Sequence, residues 1–103
     1  MKIQLNTDRY IQSDPSVVRH VEQTLESALS RFADHITRIE VHLSDLNAGK
    51  TGANDKRCLM EARMEGHQPL TASDDADTVA SAITGAAKKL QRVLDSALGK
   101  QYS

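Results

Sequence analysis

Two rhythms of apolar and polar positions run through this chain, one of period two and one near 3.6. Ile3 and Leu5 point one way, with Lys2, Gln4 and Asn6 the other. That alternation predicts a short strand with one buried face. Ser13-Asp14-Pro15 then marks a helix start. Asp14 can accept from free backbone N–H groups, and a proline at the first helical position sacrifices no hydrogen bond. Val18, Val21, Leu25, Ala28, Leu29 and Phe32 recur at three- and four-residue steps. They predict one apolar stripe on a helix of about 18–20 residues.

Alternation returns over residues 36–44. Ile36 leads in, Ile39, Val41 and Leu43 form the buried face, and Arg38, Glu40 and His42 the wet one. The run SDLNAGKTGAND over 44–55 is rich in Gly, Asn and Asp, a loop composition. A strand is expected over about 56–65, with Cys58, Met60, Ala62 and Met64 facing inward. Gly66-His67-Gln68-Pro69 reads as a turn, and Leu70 and Ala72 begin a last short strand. Pro69 points to a sheet edge, because proline donates no ladder bond.

Ser73 through Asp77 is expected to open a second helix, where Asp74, Asp75 and Asp77 would suit the positive end of the helix dipole. Val79, Ala82, Ile83, Ala86, Leu90, Val93, Leu94 and Ala97 supply its buried stripe, with Gly99 as a C-cap. Gly85 lies inside this helix, where glycine costs about 1 kcal/mol relative to alanine. It is there either for close packing or by drift. The predicted order is β-α-β-β-β-α, an α+β fold. Each strand and each helix has one apolar face, so the economical arrangement is a four-stranded sheet with both helices packed on one face.

The 103 residues fit a single domain spanning 1–103. Thirteen basic residues against fourteen acidic ones give a net charge of −1, which excludes a uniformly basic protein but leaves room for a local basic patch. One cysteine cannot form an internal disulfide, and no apolar run reaches membrane length. A reducing, cytoplasmic setting follows as the expectation.

Three stretches then carry a resemblance: "IEVHLSDLN" leading through a glycine-containing loop, "DKRCLMEAR", and the final helix "AITGAAKKLQRVL" with Ala82, Ile83, Lys89, Leu90, Arg92 and Leu94. In that order and over nearly the whole length, the chain resembles the short hibernation-promoting factor / ribosome-associated inhibitor A family. The resemblance implies a factor that binds small-subunit ribosomal RNA near the decoding centre and sterically blocks translation in stress or stationary phase. It implies no enzymatic activity, no cofactor and no small-molecule substrate. The partner would be the small ribosomal subunit and its RNA, met by Lys and Arg on phosphates, with the protein a monomer when free. The alternative is a protein-interaction or regulatory module of the same fold that no longer binds ribosomes, favoured by the near-zero charge.

The candidate RNA-binding residues are Lys88, Lys89 and Arg92 on the final helix, Lys50 in the loop, and Lys56, Arg57 and Arg63 on the third strand. Cations near a helix C-terminus are favourable without any partner, so the helix cluster has a structural reading beside the functional one. On the open sheet face, Arg38, Glu40 and His42 should meet Arg57, Glu61, Arg63 and Glu65 across a hairpin. Opposite charges facing one another there would leave the face largely self-neutralised. Cys58 falls on the inward face, where a free cysteine behaves as a small hydrophobe. His20, His35, His42 and His67 show no spacing diagnostic of zinc. His20 is expected on a helix surface, and His35 and His67 in turns.

Overall fold

In the computed structural model the described residues are 1–47 and 55–102. The elements run β1 (Lys2–Thr7), α1 (Pro15–Ala28), a 3-10 turn (Ser30–His35), β2 (Arg38–Asp45), β3 (Lys56–Arg63), β4 (Leu70–Ala76) and α2 (Val79–Tyr102). The four strands lie in the order β1-β2-β3-β4. β1 pairs parallel with β2, and β2, β3 and β4 form an antiparallel meander. α2 lies over β3 and β4, and α1 packs beside it. The α+β architecture expected from the two rhythms is therefore the one observed.

The core is aliphatic. Ile39, Val41, Leu43, Cys58, Met60 and Ala62 come from the sheet, Val21 and Leu25 from α1, and Ala82, Ile83, Ala86, Leu90 and Leu94 from α2, all buried. Alternation placed each of these strand residues on the correct face. Asp14 caps α1 by accepting from Val17 N–H at 3.0 Å and Ser16 Oγ at 2.6 Å, contacts that lower its pKa.

Several boundaries differ from the sequence expectation. α1 ends at Ala28, because Leu29 leaves the helical region (φ −114°, ψ 15°) while its N–H still bonds Leu25 O. Phe32 is then buried from the 3-10 turn instead of from an extended α-helix. β3 stops at Arg63 instead of 65, and Gly66, at φ 73°, takes the left-handed turn conformation that glycine tolerates.

The difference at β4 matters most. Residues 73–76 do not open the second helix; they continue β4. Leu70, Ala72, Asp74 and Ala76 are half-buried on the inward side, with Thr71, Ser73 and Asp75 exposed. The period of two runs through the aspartates. Thr78 takes the capping role, its hydroxyl accepting from Ser81 N–H at 3.1 Å. α2 also continues through Gly99 to Tyr102 instead of ending there.

Gly85 does have a packing role. A Cβ at this position would fall on the carboxylate of Asp74. The bare helix backbone thus lets an inward-pointing aspartate of the edge strand lie against α2, where Lys89 Nζ donates to it at 2.7 Å.

Candidate nucleic-acid interface

On the open sheet face the register brings like charges together. Arg38 lies opposite Arg63, and Glu40 opposite Glu61. The expected facing of opposite charges is corrected here to pairs along each strand and one diagonal pair between strands. Arg63 reaches Glu40 and Glu61, both at 2.8 Å, and Arg38 reaches Glu40 at 3.1 Å. Farther along, Arg57 pairs with Asp75 at 2.8 Å, which raises the arginine's pKa and lowers the aspartate's. The face is closely neutralised, as the sequence led one to expect, though by a different pattern.

Lys56 is turned the other way. It sits at the inner end of β3, donating to buried Asp55 at 2.8 Å, with buried Asp45 at 3.5 Å. The bond to Asp55 is the main cause of its raised pKa. Backbone N–H of Asp45 in turn donates to Asp8 at 2.9 Å, tying the ends of β1 and β2 together. Lys50 lies outside the described residues.

The cations on α2 divide. Lys89 leans towards β4 and is held by Asp74. Lys88 and Arg92 are exposed, one turn apart, and carry no ion pair among the described residues. Asp95, the nearest carboxylate further along the helix, is already engaged by Arg31 at 2.8 Å. Of the seven candidates, the structure therefore groups Lys88 and Arg92 as an uncompensated ridge. It places Lys56, Arg57, Arg63 and Lys89 beside carboxylates.

Lys88 borders a groove of about 500 Å³ between α1 and α2, lined also by Gln23, Thr24, Ser27, Thr84 and Gln91. Among the described residues no acidic side chain lines it. His20 closes one end, its Nε2 lying 3.1 Å from Ala80 O and 3.2 Å from Thr84 Oγ1. Bonding to a carbonyl oxygen requires Nε2 to carry the proton. His20 thus bridges the two helices instead of standing free on the surface. These polar residues were not singled out from the sequence. The available signal was the recurrence of His20, Gln23, Thr24 and Ser27 at helical spacing on one flank of the apolar stripe.

Cys58 is fully buried, and burial with Asp74 nearby pushes its thiol up to about 12. A protonated, enclosed thiol is no nucleophile. Among the described residues no group of three His, Cys, Asp or Glu could hold a metal ion, and no helix is long and apolar enough to cross a membrane.

This fold recurs in solved proteins. A ribosomal subunit interface protein from Coxiella burnetii superposes with a TM-score of 0.78 at 17% identity, covering 96% of this chain and 99% of that one. The N-terminal domain of Protein Y from Thermus thermophilus gives 0.70 at 20% identity, covering 89% and 93%. At such identities the likeness speaks for the fold. No curated protein sequence gives a significant match. Family membership comes from the sequence itself: residues 6–102 match the family described as sigma 54 modulation protein / S30EA ribosomal protein, and the chain belongs to it. This agrees with the resemblance carried by the two central strands and the final helix.

Proposed function

We propose that this protein is a cytoplasmic, non-enzymatic factor that binds small-subunit ribosomal RNA near the decoding centre and blocks translation by occupying that space. Membership of a ribosome-associated family supports ribosome binding. The observation that carries the RNA contact is the Lys88–Arg92 ridge. In a chain of net charge −1, it is a place where two exposed cations stand together with no carboxylate attached among the described residues. The acid-free groove beside it offers hydroxyl and amide groups to a folded RNA. Such a surface recognises phosphate and shape, not base sequence.

Co-sedimentation with ribosomes at moderate salt tests this. Lys88→Glu with Arg92→Glu should leave the protein in the supernatant, while Arg57→Gln, already neutralised by Asp75, should pellet like the parent. Removing two phosphate contacts should also flatten the log-affinity against log-salt slope by about 1.5–2. A double variant that pellets normally overturns the assignment. The competing reading, an interaction module without ribosome binding, draws on the carboxylates held by Arg31, Arg38, Lys56, Arg57, Arg63 and Lys89. It predicts that the parent protein itself stays in the supernatant.

A further inference from the structure

The two edges of the sheet are finished differently. β4 is closed: Asp74 points inward from it, α2 seats on it, and Asp75 is tied to Arg57. An inward-pointing charge is one of the devices that stop an edge strand from pairing further. Among the described residues β1, the opposite edge, has no inward-pointing charge and no helix seated on it as α2 is on β4. Its inward residues Ile3 and Leu5 are only half-buried, in a sheet whose Val41 and Met60 are completely enclosed.

Between β1 and α1 runs a second groove, of about 280 Å³. Met1, Ile3, Leu5, Val18 and Val21 give it an apolar floor, and Glu22 and Glu26 rise on its helix side. These two glutamates stand one helical turn apart. Both are exposed, and neither has an ion-pair partner among the described residues. A fifth strand laid against β1 would put its inward side chains into this groove, under the flank of α1.

We propose that the β1 edge is a docking site for an extended protein segment of alternating apolar and basic residues. The segment would extend the sheet by one strand. Its main chain would satisfy the outward N–H and C=O groups of β1, which as an edge strand leaves half of its backbone without ladder partners. Its apolar side chains would cover Ile3, Leu5 and Val18, and its lysines or arginines would reach Glu22 and Glu26. Charge decides the occupant. A second copy of this chain meeting β1 to β1 would set two acidic rims face to face, and RNA would be repelled by them. The site is separate from the Lys88–Arg92 ridge, and the proposal stands or falls independently of the RNA assignment.

The test is titration of the ¹⁵N-labelled full-length protein with a synthetic seven-residue peptide alternating valine and lysine. Amide shifts should change along residues 2–7 and 18–26, and Glu22→Gln with Glu26→Gln should weaken binding about three- to tenfold, as two surface ion pairs would. The same variant should still co-sediment with ribosomes, and Lys88→Glu with Arg92→Glu should still bind the peptide. Four results would each overturn the proposal: no shift at millimolar peptide; shifts on other elements; equal affinity for a peptide with glutamate in place of lysine; or self-association through residues 2–7 in sedimentation equilibrium.

Discussion

The two helices meet the sheet in different ways. α2 sits down on β3 and β4 through small residues, with Ala82 and Ala86 buried and Ala72 and Ala76 facing them from β4. Gly85 even allows the Asp74 side chain to lie against its backbone. α1 reaches the core through Val21 and Leu25 but leaves a groove on either flank. The lesson is that the β4 edge spent its charges on one another, while the flanks of α1 kept theirs free. Lys89 and Arg57 were spent on Asp74 and Asp75 at the closed edge. The flanks of α1 instead present an acid-free groove on one side and a glutamate rim on the other. A net charge near zero conceals this separation.

Unseating α1 should break the contrast most severely. Leu25 is completely buried, so Leu25→Ala should cost about 2–5 kcal/mol in urea unfolding. Val18 forms the wall of an open groove, and Val18→Ala should cost about 1 kcal/mol or less. Equal losses would mean that the groove is closed in solution.

The seated helix can be probed through the thiol beneath it. Cys58 has its pKa raised from 9.0 to about 12, chiefly by burial. The unfolded chain therefore releases this proton first. The contribution to stability is complete below about pH 9 and declines as pH rises towards 12. Thermal unfolding across that range should show the decline in the parent and less of it in Cys58→Ala. In the native protein, alkylating reagents should modify Cys58 only as fast as the fold opens.

The smallest effect belongs to the exposed pair at the closed edge. Arg57 holds the Asp75 carboxyl below its usual pKa. Whatever stability this gives is present above about pH 4 and lost as pH falls through the lowered value. Asp75→Asn should remove that part of the acid limb and leave ribosome pelleting unchanged.

How much of this was legible in the residues depends on distance along the chain. Ile39, Val41 and Leu43, or Cys58, Met60 and Ala62, declare their facing within a few positions, so the strands and the order of elements could be read directly. From sequence β4 reads short because Ser73-Asp74-Asp75-Ala76-Asp77 looks like a helix start. The real evidence was the unbroken alternation from Leu70 to Ala76, disguised by an aspartate on the inward side. Neutralisation was hidden for a different reason. Arg31 meets Asp95, and Lys89 meets Asp74, only after the chain has folded. The like-on-like facing of Arg38 with Arg63 needed the register, which no pattern of one strand contains. Grooves flanking α1 depend on where three elements come to rest, so His20, Thr84, Glu22 and Glu26 looked like ordinary surface residues.

The meeting of Gly85 with Asp74 has an evolutionary consequence. These positions are coupled: a side chain acquired at 85 claims the space of the carboxylate, so the residue at 74 must turn aside or be shortened. Lys89 is drawn in as a third party, since its ammonium would be orphaned by that change. Related chains should therefore carry glycine, aspartate and lysine at these three places as one inherited set, or have exchanged them together.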